Sequence, residues 1–136
     1  MQNKDLAADY VKRARIRLMA VEVLMAHQSF ADVVRESQEV VELTLKALLR
    51  KCGIESPRIH DVSGIMLQER TRIPVLMQQH VERLAAISKN MRRDRELAFY
   101  GSEDLTPSEF YSEDDAKVAL RDAYFVVQTV SPFVES

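Results

Sequence analysis

Helix-breaking residues are scarce in this chain: three glycines and four prolines stand in 136 residues, and Ala, Leu, Met, Glu, Lys, Arg and Gln fill the stretches between them. Glycine and proline disfavour a helix interior by about 1 and 3 kcal/mol relative to alanine, whereas the filling residues are the strongest helix formers. A chain built this way folds as helices joined by turns. A length of 136 residues suits one domain with one core, in which folding buries roughly two-thirds of the surface that the unfolded chain exposes. A single domain over residues 1–136 is the expected organisation.

The apolar residues give the helices their order. From Asp5 to Gln28, the residues Leu6, Tyr10, Ala14, Leu18, Val21 and Met25 recur at three- and four-residue steps, forming one stripe on a long first helix. Ser29-Phe30-Ala31-Asp32 has the pattern of a capping box and opens a second helix. The stripe of that helix runs Phe30, Val33, Val34, Ser37, Val41, Leu45, Leu48, Leu49, and Gly53 suits the left-handed position past its end. So short a join sets the two helices antiparallel. Between Ile54 and Ile73 the pattern weakens, and Ser63 to Glu69 is expected as a short third helix. Pro74 suits the first turn of a fourth helix, whose face Met77, Val81, Leu84, Ser88, Met91 and Arg95 runs on into RRDRELAFYG, residues 92–101. SEDLTPSEFY reads as a loop with a single turn from Thr106 to Phe110. A second capping box, Ser112 to Asp115, then opens a final helix with Ala116, Ala119, Leu120, Ala123, Val127 and Val130 on its stripe. The predicted fold is all-α, an up-and-down bundle of four long helices plus a short helix.

Composition narrows the function classes. A hydrophobic fraction of 46% and a charged fraction of 29% belong to an ordinary globular chain. No apolar run approaches the ~18 to 20 residues that cross a bilayer, and MQNKDLAADYVKRA has no signal-peptide core, so no membrane and a cytoplasmic location are expected. A net charge of −2 excludes a globally basic nucleic-acid binder and leaves room for a local basic patch. Cys52 has no second thiol and reads as a packing residue near a helix end, while His27, His60 and His80 are dispersed, so no metal and no cofactor are expected. Glycine-rich phosphate loops, H-E-x-x-H pairs, C-x-x-C pairs and nucleophile elbows are all missing from the sequence.

Two charged positions stand out against this background. Glu42 and Lys46 have the favourable i, i+4 order of a surface pair, but Glu42 sits at the margin of the apolar stripe, where it can equally border a polar groove shared with another helix. Arg95 falls on the apolar face of the fourth helix, where an unpartnered charge is costly. It either pairs internally with Glu42 or Glu39, presents to a phosphate, or snorkels to water.

Taken together, AADYVKRARIRLMAVEVL, ESQEVVELTLKALLRKCGI, IHDV, RELAFYG and YSEDDAKVALRDAYFVV occur in an order and spacing that resembles the HEPN family, the higher eukaryotes and prokaryotes nucleotide-binding domains. The resemblance covers nearly the whole chain. It implies a helical bundle, homodimerisation, and a minimal nucleotidyltransferase as partner within a toxin-antitoxin type system. Many family members are metal-independent ribonucleases with an R-x(4 to 6)-H motif late in the bundle, in which the histidine transfers a proton and the arginine holds the scissile phosphate. This sequence departs from that motif. The positions reached from Arg92, Arg93 and Arg95 run from Leu97 to Ser102 and include no histidine. Tyr100 stands where one would be sought after Arg95, and a phenol with an ordinary pKa of about 10 is a poor base near neutrality.

The resemblance thus implies a non-catalytic dimeric module binding a nucleotide, RNA or a partner nucleotidyltransferase. Its candidate nucleotide or phosphate contacts are Arg95, Tyr100, Glu42, Lys46, His60 and Asp61. The alternatives are a ribonuclease toxin with an altered site, or a purely structural interaction domain. Val23, Leu43, Ile87 and Phe125, left over once the stripes are assigned, are the expected apolar material of a dimer surface.

Overall fold

The computed structural model describes residues 2–56, 58–93 and 106–136. Its helices are α1 (Gln2–Ala26), α2 (Phe30–Lys51), α3 (Ser63–Gln68), α4 (Val75–Gln78), α5 (Val81–Arg93), α6 (Pro107–Phe110) and α7 (Glu113–Glu135), with a 3-10 turn at Arg70–Arg72. No strand occurs among the described residues, and the all-α bundle expected from the stripes is the observed architecture.

Helices α1, α2 and α7 pack against one another as the main wall of the bundle. Cross-helix contacts give their directions. Arg17 lies 3.5 Å from Glu36 near the α1–α2 turn, and Arg50 stacks 5.6 Å from the Tyr10 ring far from it, so α1 and α2 run antiparallel. Arg15 pairs with Glu135, and the Tyr124 hydroxyl donates to Glu22 at 2.7 Å, which sets α7 antiparallel to α1. Val11, Val21, Val41, Leu45, Leu48, Leu84, Val126 and Val130 share one buried core. α5 joins that core through Val81, Leu84 and Ile87, and α3 packs on α5 and adds Met66 to the core.

Both long helices of the first hairpin end in the same way. At the end of α2, Gly53 takes φ 73°, its N–H bonds to the Arg50 carbonyl at 3.0 Å and the Ile54 N–H bonds to Leu49 at 2.8 Å. This is the Schellman closure that glycine makes cheap. α1 closes identically, with Gln28 N–H to Met25 at 3.0 Å and Ser29 N–H to Leu24 at 3.0 Å, but a glutamine holds the left-handed position at φ 60°. The sequence carries no glycine there to announce it.

Several expectations change in the structure. The Ser29 hydroxyl makes no backbone cap; at φ −87° and ψ 69° the residue lies outside the extended geometry of an N-cap, and its hydroxyl bonds instead to the Asp32 carboxylate at 2.7 Å. The expected box at the other end is present, with Ser112 and Asp115 capping α7, and a further box that the sequence reading did not name, Thr106 with Glu109, caps α6. The fourth helix is interrupted at Gln79 and His80, where the His80 N–H bonds to Met77, three residues back, at 3.0 Å and the Gln79 side chain takes the Leu76 carbonyl at 3.0 Å. Its face survives the break, because Met77, Val81, Leu84 and Ser88 are all buried. Leu6 is more exposed than a stripe residue should be, at 37%. The four leftover apolar residues do not form one surface: Ile87 is buried, Leu43 and Phe125 pack against the core, and Val23 is exposed. Arg83 covers Phe125 with its guanidinium 3.6 Å from the ring centroid, which explains why this phenylalanine tolerates an outer position. Among the described residues, no helix is long and apolar enough to cross a membrane.

Candidate functional site

The periodicity of α2 sends Val41, Leu45 and Leu48 into the core and leaves Glu42 and Lys46 one turn apart on its flank. They are not a solvated surface pair. Their side chains are only 17% and 18% exposed, and the Lys46 ammonium donates to Glu42 Oε2 at 2.8 Å. The other carboxylate oxygen, Oε1, meets His60 Nδ1 at 2.7 Å. One carboxylate therefore orients both an ammonium and an imidazole, and the imidazole is 44% exposed. His60 stands on the connection from α2 to α3, eighteen residues from its partner, so only the folded chain brings the three together.

Asp61, the next residue, does different work. Its Oδ1 accepts from the Ser63 backbone N–H at 2.9 Å, turning the chain into α3, and from the Ser88 hydroxyl at 3.3 Å. Ser88 in turn accepts from the Val62 N–H at 3.0 Å, so a serine on the buried face of α5 fastens the connection to that helix. Partial burial pushes the Asp61 carboxyl up, but the bonds from Ser63 and Ser88, with the charge of Lys89, outweigh it and hold the group below the usual carboxylate range. Asp61 borders a groove between α3 and α5 that also includes Ile59, Leu67, Arg70 and Lys89.

Of the six sequence-derived candidates, Glu42, Lys46 and His60 thus converge, and Asp61 is adjacent in the chain but serves the turn. Arg95 and Tyr100 lie outside the described residues, so internal pairing of Arg95 with Glu42 or Glu39 is not described. Glu42 already satisfies both its oxygens with Lys46 and His60.

The structure adds Arg13 and Arg17, which the sequence reading did not single out, and brings Tyr10 of the α1 stripe beside them. A cleft of about 260 Å³ between α1 and α2 is lined by Tyr10, Arg13, Arg17, Glu39, Glu42, Leu43 and Lys46. Tyr10, Arg13 and Arg17 follow one another at three- and four-residue spacing, which is the signal that they share an edge of α1, but nothing in the sequence says which helix that edge faces. Arg13 lies 6.0 Å from the Tyr10 ring. The cleft therefore joins an aromatic face, two guanidinium groups and an ammonium with the carboxylates of Glu39 and Glu42, and Glu42 attaches His60 to its wall. Such a set suits a ring and a phosphate, the ring by stacking and the phosphate by charge-assisted hydrogen bonds. No group of three or more His, Cys, Asp or Glu with metal-ligand geometry is found among the described residues.

Fold and sequence together place the chain in a class. The family model described as "HEPN domain" matches residues 7–132, and the chain belongs to that family. It is also similar to the protein named "Putative toxin MJ1304" of Methanocaldococcus jannaschii, with 27% identity over 141 aligned positions covering 98% of this chain and 91% of that protein. No solved structure is significantly similar to it.

Proposed function

We propose that this chain is a non-catalytic, homodimeric HEPN module of a toxin-antitoxin type system, which binds the phosphate of a nucleotide or RNA and works with a nucleotidyltransferase partner. The toxin-antitoxin part is supported by the name of the relative in Methanocaldococcus jannaschii. The non-catalytic part is carried by one observation: no histidine occurs from Leu97 to Ser102, the span in which the family's proton-transfer residue is sought after Arg92, Arg93 and Arg95. Lys46 and His60 on Glu42, with Tyr10, Arg13 and Arg17 across the cleft, are the phosphate and ring contacts of this reading. Arg95 and Tyr100 are its further contacts.

Calorimetry with ATP, other nucleotides and short RNA tests it. Binding that weakens about tenfold in Lys46→Ala, the effect of one charge-assisted contact, is the expected result. No binding at millimolar ligand favours a purely structural domain. A small nucleotidyltransferase encoded beside this chain, or co-purifying with it, supports the partner.

A second reading is a metal-independent ribonuclease with an altered site, and one geometric feature favours it. Glu42 holds the exposed His60 imidazole by Nδ1 at 2.7 Å, the arrangement by which a carboxylate orients a histidine for proton transfer. Cleavage of mixed RNA in the presence of a chelator, lost in His60→Gln and in Arg95→Ala, would replace the non-catalytic reading with this one.

A further inference from the structure

A second cavity, of about 230 Å³, lies where α2, α5 and α7 meet, and it shares no lining residue with the cleft between α1 and α2. Its walls are largely apolar. Val34 and Ala119 belong to a small buried cluster with Tyr111, and Met91 packs against that cluster. Val118, 46% exposed, lines the side toward solvent.

Into this apolar frame the chain sets oxygen acceptors, and no lysine or arginine is among the lining residues. Gln38 is only 5% exposed. Its Nε2 donates to the Met91 carbonyl at 2.8 Å, which fixes the orientation of the amide, and its Oε1 is buried without a donor. An unmet buried carbonyl costs free energy that an N–H donor supplied by a ligand would recover. Asp115 and Asp122 line the same cavity from α7. Asp115 commits Oδ2 to Ser112 in the helix cap, and Asp122 commits Oδ1 to Arg121 at 3.3 Å. Each carboxylate keeps its second oxygen for another donor.

Asp115 is explained by the cap and by the positive end of α7. Asp122 stands in the helix interior with its side chain 19% exposed, where neither reason applies. Seven residues separate the two, which is two turns or about 10 Å along one face of the helix, with Val118 and Ala119 between them. Two carboxylates at that separation over an aliphatic strip, with a buried amide oxygen in the same cavity, match a slender molecule that is cationic at its ends and apolar between. An anionic ligand would be repelled by the pair, and an uncharged apolar one would leave all three oxygens unmet.

We propose that the cavity between α2, α5 and α7 binds a linear aliphatic polyamine, with terminal ammonium groups on Asp115 and Asp122 and an N–H donating to Gln38 Oε1. The site is separate from the nucleotide reading of the α1–α2 cleft and does not depend on it.

The test is calorimetry of the whole chain with spermidine, without nucleotide and at about 0.15 M salt, where loose surface association of cations is screened. Saturable binding of one spermidine per chain is the expected result. Asp122→Asn, which disturbs only a surface pair with Arg121, should weaken it about tenfold, the effect of one charge-assisted contact. Gln38→Met, close in volume but without the acceptor, should weaken it severalfold, and circular dichroism confirms that each variant folds. If Gln38→Met does not fold, Asp122→Asn decides the matter. Glu113→Gln, at a neighbouring acid that pairs with Lys117 and does not line the cavity, should leave binding unchanged. The uncharged diol of the same chain length should not bind. No saturable binding of spermidine, or binding weakened as much by Glu113→Gln as by Asp122→Asn, overturns the site. Tighter binding of an arginine-containing peptide, lost likewise in Asp122→Asn, overturns the polyamine and assigns the cavity to a basic side chain of a protein partner.

Discussion

The wall made by α1, α2 and α7 and the flank made by the α2–α3 connection, α3 and α5 belong to one bundle but are held differently. The wall is joined by long apolar stripes, in which Val11, Leu45, Leu48 and Val130 lose all contact with water. The flank shares the core through Ile54, Val62, Met66, Val81, Leu84 and Ile87, and its connection is further oriented by single polar bonds, from His60 to Glu42, from Val62 to Ser88, and from Ser63 and Ser88 to Asp61. Apolar burial is non-directional and sums over many atoms, whereas each polar tie depends on one geometry. Of the candidate residues, His60 and Asp61 therefore sit where the chain is oriented by directional polar bonds, while Glu42, Lys46 and the α1 residues stand on the wall that apolar burial specifies.

That contrast predicts a ranking of mutational effects. Leu45→Ala in the centre of the wall should cost about 3 kcal/mol by leaving a cavity in a site that cannot collapse, read as a lower midpoint in urea unfolding. A cost below about 1 kcal/mol would mean that the wall is not the rigid part. Asp61→Ala should cost about 1 to 2 kcal/mol, because the Ser63 N–H and the Ser88 hydroxyl lose their acceptor. Ser88→Ala should fall in the same range and should add little on top of Asp61→Ala, since the two share one network.

The same carboxylate gives the flank a pH signature. The folded pKa of Asp61 is held below its unfolded value, so its contribution is complete above about pH 4, near the unfolded value, and is lost as pH falls through the lower folded value. Asp61→Asn should flatten the acid limb of the stability profile, and an unchanged limb would assign it to other carboxylates such as Glu135, which Arg15 also holds below its usual range.

Gln28→Gly probes the hairpin turn of the wall. A non-glycine residue at φ 60° carries strain that glycine removes, so the substitution should stabilise by up to about 1 kcal/mol. Destabilisation would show that the glutamine side chain makes up for its backbone. The smallest expected effect on stability is that of His60→Gln, within about 0.5 kcal/mol, because an exposed histidine paired at the surface contributes little to folding. Its effect should appear in ligand binding instead. A large loss of stability would make His60 a structural latch and remove it from the site.

Much of the wall was legible in the sequence because the 3.6-residue period is a local property. Val33, Val34, Val41, Leu45 and Leu48 announce the buried face of α2 without knowledge of what covers it, and Ser112 with Asp115 announces the start of α7. Gly53 marked the end of α2 for the same reason. The closure of α1 escaped notice because Gln28 adopts a conformation that its residue type does not advertise. The break at Gln79 and His80 escaped too, since the apolar face continues in register across it. Ile87 and Phe125 were read as spare because a stripe counted at one position per turn is narrower than the face that a packed helix buries.

For the candidate site the division is sharper. Glu42 and Lys46 were paired by spacing alone, one turn apart on one helix. His60 was carried by resemblance, but that its imidazole meets Glu42, and that Asp61 beside it turns away to Ser63 and Ser88, follow from how the α2–α3 connection folds back. The sequence by itself determined which segments are helical, which faces they bury, and that the family's histidine is missing after Arg92, Arg93 and Arg95. Only the tertiary structure decided that Tyr10, Arg13 and Arg17 face Lys46 across a cleft, and that Ile16, Met19 and Val23 of α1 stand exposed while Ile87 is buried. Periodicity fixes a residue's angle about its own helix, and the partner at that angle depends on how separate helices pack.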